Sequence, residues 1–123
     1  MNFINFTNHP SNKWSKEQIA AAKEIGDVYD IPFPNVDPEG DEDYIKLVAN
    51  DYVKRILVNK PSAVLCQGEM TLAFTVASIL LAEHGIPVIA ACSERIVTEV
   101  AEESGEIRKQ SYYKFKKFRE YLM

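Results

Sequence analysis

Two short runs of uninterrupted apolar residues, Ala63-Val64-Leu65-Cys66 and Ile86 to Ala91, constrain the fold of this chain more than any other feature. A strand that is apolar at every position leaves no face for water, so it belongs inside a parallel sheet covered on both sides. Between the two runs, Met70 to His84 reads as a helix stopped by Gly85. Strand, helix, strand is therefore the repeating unit, and the rest of the chain can be read against it.

Upstream, Asn2 to Thr7 sets Phe3, Ile4 and Phe6 against Asn2, Asn5 and Thr7, which predicts a first strand running into a turn-rich segment, Asn8 to Lys13. Ser15-Lys16-Glu17-Gln18 fits a capping box, so helix one spans Lys16 to Ile25 and Gly26 ends it. Val28 to Phe33 reads as strand two, closed by Pro32 and Pro34. Asp41, Glu42 and Asp43 favour a helix start, and Tyr44, Leu47, Val48, Asp51, Tyr52 and Ile56 continue helix two to Asn59-Lys60-Pro61. Beyond Ala91 the polar Cys92-Ser93-Glu94-Arg95 segment reads as a turn. Ile96 to Glu102 and Ile107 to Phe118, joined at Ser104-Gly105-Glu106, then read as a β-hairpin; a helix over Glu94 to Glu103 is the competing reading. The expectation is one domain over residues 1–123, an α/β three-layer Rossmann-like fold. Its mostly parallel sheet has order 2-1-3-4, and the C-terminal hairpin extends the strand-four edge.

Composition narrows the function. Against 14 basic residues stand 18 acidic ones, a formal net charge of −4, which disfavours broad binding to long nucleic acid or anionic membrane. No basic-then-apolar leader is visible, and the longest apolar stretch, Leu72 to Ala82, is too short to cross a bilayer, so a soluble cytoplasmic protein is expected. Cys66 and Cys92 read as small core residues, with neither a disulfide nor a metal site expected.

In a sheet of this order the ligand crevice lies outside the carboxyl ends of the strands, where the loops after strands one, three and four converge. The first loop offers Asn8, His9, Ser11 and Trp14. His9 is the candidate acid or base, although a histidine before proline is also an ordinary turn residue. Trp14 can stack on a base or staple helix one. The second loop offers Gln67, Gly68, Glu69 and Thr71, where free N–H groups at the helix-three N-terminus would form an anion site; a plain turn glycine and a capping threonine are the simpler account. The third offers Ser93 and Arg95 as phosphate contacts, against an exposed ion pair with Glu94. Neither a Walker loop nor a Gly-x-Gly-x-x-Gly turn occurs. The tail interleaves Arg108, Lys109, Lys114, Lys116, Lys117 and Arg119 with Tyr112, Tyr113, Phe115, Phe118 and Tyr121; this suits an edge strand guarded by lysines, a nucleic-acid surface or a dimer interface.

Taken together, the Asn8-His9 loop, the Gln67-Gly68-Glu69 turn, the Ser93-Glu94-Arg95 turn and the basic-aromatic tail resemble the small stand-alone CARF-like proteins of type III CRISPR systems, several of which are ring nucleases. The resemblance spans nearly the whole chain. It implies a CARF-like homodimer whose two-fold pocket binds cyclic oligoadenylate, with cyclic tetra-adenylate the expected ring. It also implies metal-free cleavage by 2′-hydroxyl attack, no cofactor, and the ending of antiviral signalling. Three alternatives stay open: a binder that sequesters the ring without cutting it; a nucleoside deoxyribosyltransferase-like enzyme, for which Glu69 is the only evident carboxylate; and a structural interaction module, favoured if the tail aromatics form only a protein interface.

Overall fold

A computed structural model describes residues 1–123. Strands β1 (Asn2–Phe6), β2 (Asp27–Asp30), β3 (Pro61–Cys66), β4 (Val88–Ala101) and β5 (Ile107–Glu120) form one sheet in the order β2-β1-β3-β4-β5. The first four strands are parallel to their neighbours, and only β5 runs antiparallel, beside β4. Helices α1 (Lys16–Lys23), α2 (Glu42–Val58) and α3 (Met70–His84) fill the crossovers. The α/β class and the parallel order 2-1-3-4 follow the sequence reading; a terminal hairpin is present too, but its first strand is β4 itself and not a separate strand added to the β4 edge.

Alternation along the central strands divides the core into two layers. Ile4, Phe6, Val64, Cys66 and Val88 point to one face, where Ala49, Val53 and Ile56 of α2 and Leu72, Val76 and Leu80 of α3 cover them. Phe3, Ala63, Leu65 and Ile89 point to the other, beneath Ala22 of α1 with Trp14 and Phe118 at the margin. Because β1 and β3 are buried on both sides, their registers are fixed: a slip of one residue would exchange the two layers.

The helix ends carry the signals the sequence announced. Ser15 caps α1 by accepting from the Gln18 N–H at 3.1 Å, and Asp41 caps α2 by accepting from Tyr44 N–H at 2.9 Å. Gly85, at φ 62°, ends α3 in the left-handed conformation that glycine adopts without strain. No helix is long and apolar enough to cross a membrane.

The largest departure concerns β4. The segment Cys92-Ser93-Glu94-Arg95, expected as a turn after a strand ending at Ala91, is instead the middle of one continuous 14-residue strand. Its partner β5 is equally long, and the two pair from Ile89↔Glu120 to Ala101↔Ile107 with one bulge at Cys92/Ser93. By contrast β3 accompanies β4 only at Val64↔Val88 and Leu65↔Ile89. Past that point the hairpin leaves the sheet as a two-stranded arm. From Ser93 to Ala101 it reaches roughly 30 Å at ~3.4 Å per residue.

Candidate functional site

A cleft of about 750 Å³ opens at the carboxyl ends of β1 and β3, against the root of the arm. Its walls are His9, Lys13, Trp14, Ser15 and Gln18 from the first loop and the start of α1, Gln67 after β3, and Ala91, Ser93, Tyr113 and Phe115 from the arm. The first loop and Gln67 meet here at the strand ends, but the far wall is a continuous strand pair where the sequence reading placed a third loop. The composition is polar with three aromatic side chains, and it includes no carboxylate.

The first loop is held in shape by a buried polar cluster at the end of β1. Asn5 and Thr7 lie on the α1 face of the strand and are almost fully buried, so their polar atoms need partners inside the protein. The Asn5 amide donates to the His9 carbonyl at 2.9 Å and to the Asp30 carboxylate at 3.0 Å. The Thr7 hydroxyl donates to the Asn5 Oδ1 at 2.8 Å and accepts from the His9 N–H at 3.1 Å. Trp14 Nε1 donates to the same His9 carbonyl at 3.0 Å, while the second Asp30 oxygen accepts from both the N–H and the hydroxyl of Ser11. The backbone of His9 is thus fixed from several directions, and its side chain stands at the cleft. Ser11 braces the loop through Asp30, Asn8 is exposed, and neither lines the cleft.

Trp14 joins the core to the cleft. Its ring meets Phe3 edge-on at 6.3 Å between centroids, which anchors it to the core, and its remaining surface lines the cleft. Gln67 marks the point where β4 loses its parallel neighbour. Its Oε1 accepts from the Ala91 N–H at 2.9 Å, extending the ladder by one side-chain bond and positioning the root of the arm.

The second loop departs from expectation. Glu69 is the N-cap of α3, and its carboxylate accepts from the N–H groups of Thr71 at 3.0 Å and Leu72 at 2.9 Å, and from the Thr71 hydroxyl. An anion already sits at this helix end, so the N–H groups are not free for a ligand. The Thr71 hydroxyl and the Leu72 and Thr71 N–H groups, by donating to it, hold the Glu69 carboxyl below its ordinary range. Thr71 itself borders a different hollow, with Gly40, Asp41, Glu42 and Lys46, on the α2–α3 face. Gly68 also has a packing role: a Cβ there would lie 2.5 Å from the Phe33 ring. Neither residue reaches the cleft.

The third group divides. Ser93 lines the cleft from β4, whereas Arg95 lies two residues farther out on the same face of the arm, opposite Tyr113, and does not. Both are strand residues, not turn residues, because the hydrogen bonds of the hairpin carry the chain through them. The wall residues Lys13, Ser15, Gln18, Tyr113 and Phe115 were not singled out as ligand contacts from sequence. The first three only needed the helix-one capping box to be read as part of the crevice, while Tyr113 and Phe115 become visible once the hairpin register is known.

Both cysteines are free thiols. Burial pushes the Cys66 thiol up to about 12, which leaves it neutral and inert as a nucleophile. The Tyr121 hydroxyl donates to the Cys66 carbonyl at 2.9 Å and ties the C-terminal segment to the centre of the sheet. No three His, Cys, Asp or Glu side chains converge at metal-ligand spacing.

No curated protein and no solved structure matches the chain. One family model does, over residues 1–119, and the chain therefore belongs to the Uncharacterized protein MJ1673 family.

Proposed function

We propose that the cleft binds a small cyclic oligoadenylate, with cyclic tetra-adenylate the expected ring, and that His9 promotes its opening. One observation carries the reading: Trp14, Tyr113 and Phe115 share a single polar cleft with Lys13 and His9, at the strand ends where such sheets bind ligands. Flat apolar surfaces beside cationic donors suit a molecule made of bases and phosphates. The absence of carboxylates from the walls spares an anionic ligand from repulsion.

In the reaction a ribose 2′-oxygen attacks the adjacent phosphorus as the bond to the 5′-oxygen breaks. The products are a 2′,3′-cyclic phosphate and a 5′-hydroxyl, and no water is consumed. His9 accepts the 2′ proton, solvent returns one to the leaving 5′-oxygen, and Lys13 with the Ser15 and Ser93 hydroxyls stabilises charge on the phosphate. Positioning the 2′-hydroxyl in line supplies much of the acceleration.

A second reading, a binder that holds the ring uncut, is favoured by the presence of only one imidazole and no partner carboxylate in the cleft. The deoxyribosyltransferase alternative loses its candidate nucleophile, since the Glu69 carboxylate is engaged as a helix cap outside the cleft. Calorimetry with cyclic tetra-adenylate, followed by chromatographic resolution of products, tests both surviving readings. The expected result is saturable binding and ring opening, with cleavage lowered by a factor on the order of 10²–10⁴ in His9→Ala. Binding with the ring intact at excess wild-type protein selects the sequestering reading, and no binding overturns both.

A further inference from the structure

The outer part of the arm has two free strand edges, and they differ. The β5 edge closes the sheet and carries Lys109, Lys114, Lys116 and Lys117, a device that keeps exposed edges from pairing. The inner edge of β4 from Ser93 to Ala101 carries no lysine, is rich in β-branched residues, and has no partner because β3 has ended. An isolated two-stranded ribbon is marginal in water, yet this one exposes Val97, Ile107, Tyr112 and Tyr113.

The geometry points to a second copy of this chain as the occupant of that edge, with the two β4 strands antiparallel about a two-fold axis at Val97. Three observations select this arrangement. Backbone bonding parity comes first. The Ala91 N–H points to the inner side, towards Gln67, so along the strand the inward-facing groups belong to Ser93, Arg95, Val97, Glu99 and Ala101. Placing Val97 against its own copy sets these residues opposite one another, so each donor meets an acceptor.

Charge comes second. In this register Arg95 faces the partner's Glu99, twice by symmetry, and neither residue forms an ion pair within its own chain. Glu99 has Lys109 across the hairpin, but the two do not come within salt-bridge distance. A two-residue shift one way would set Arg95 against Val97, and larger shifts set Arg95 or Glu99 against its own copy. Side chains come third: the register pairs Ile96 with the partner's Thr98, a favourable β-branched match. The pairing turns two marginal ribbons into one four-stranded sheet. It rests on the arm alone and not on the nucleotide reading.

Sedimentation equilibrium of the full chain should give a mass near twice the 14.0 kDa chain mass. Arg95→Glu and Glu99→Arg each create two like-charge pairs and should raise the dimer dissociation constant at least about tenfold, while combining them recovers part of the loss. Val97→Cys lies on the axis with Cα atoms about 5.5 Å apart, within disulfide range, and should cross-link under mild oxidation. Thr98→Cys, displaced from its own copy, should not. A wild-type mass near 14.0 kDa overturns the proposal. So does a dimer that both single charge reversals leave intact with no cross-link at position 97.

Discussion

The two ends of β4 share a strand but not an environment. At its root Val88 and Ile89 are buried between two helical layers with β3 on one side and β5 on the other. Thirty or so ångströms away, at ~3.4 Å per residue, the same strand has water on both faces and a partner on one side only. The root is defined by burial, and any apolar-to-polar change there would be costly. The arm is defined by backbone pairing and leaves its side chains free for other uses. The β-branched and aromatic residues of the exposed ribbon are the ones the proposed pairing of two arms would use.

The comparison can be broken most severely at the centre of the body. Phe6 is fully buried and packs against Phe33 at 4.7 Å and Tyr52 at 5.2 Å between ring centroids. Phe6→Ala is expected to remove about 3–5 kcal/mol of unfolding free energy, measured by denaturant titration, because the rings above it cannot close the cavity. A loss below about 1 kcal/mol would mean that the body is far more pliable than its close packing suggests.

A smaller effect is expected where the body meets the cleft. Asn5→Ala would remove the amide that joins the His9 carbonyl to Asp30 and the acceptor of the Thr7 hydroxyl at the buried end of β1, leaving the His9 carbonyl to Trp14 Nε1 and the Thr7 hydroxyl. The expected loss is about 1–3 kcal/mol, and the first loop should lose its protection against amide exchange, most clearly at the His9 N–H. Stability lost without any change in His9 exchange would show that the loop is held by Trp14 alone.

The legibility of this chain follows the same division. Residues buried on both faces announced themselves: α3 has the expected limits Met70–His84, and β1, β3 and the strand order follow from apolar runs and their spacing. The continuation of β4 through Ser93-Glu94-Arg95 did not, because a strand without a buried face has no need of apolar residues and its polar stretch imitates a turn. The hairpin was still legible from its β-branched residues and the Ser104-Gly105-Glu106 turn. The anion site assigned to α3 failed for a local reason. Glu69 precedes the helix by one residue, and its own carboxylate takes the N–H groups. For the cleft, His9, Trp14, Gln67 and Ser93 were within reach of sequence reasoning, whereas Asp30 was not, since only the pairing of β2 with β1 brings it beneath the first loop.

The smallest effect on stability is expected at Tyr113, and it separates the two regions most cleanly. Tyr113 is 73% exposed, pairs with Arg95 across the arm, and lines the cleft. Truncating so exposed a side chain removes little buried surface and leaves both backbone ladders intact, so Tyr113→Ala should change unfolding free energy by less than about 0.5 kcal/mol. If the ring stacks on a base, the same truncation removes about 1–3 kcal/mol of binding, or roughly five- to 150-fold in affinity for cyclic tetra-adenylate. Paired denaturation and calorimetry on one variant therefore read the two roles separately. Unchanged affinity would take Tyr113 out of the ligand site, and with it the idea that the arm completes the cleft. A stability loss as large as that of Asn5→Ala would show instead that the arm belongs energetically to the body.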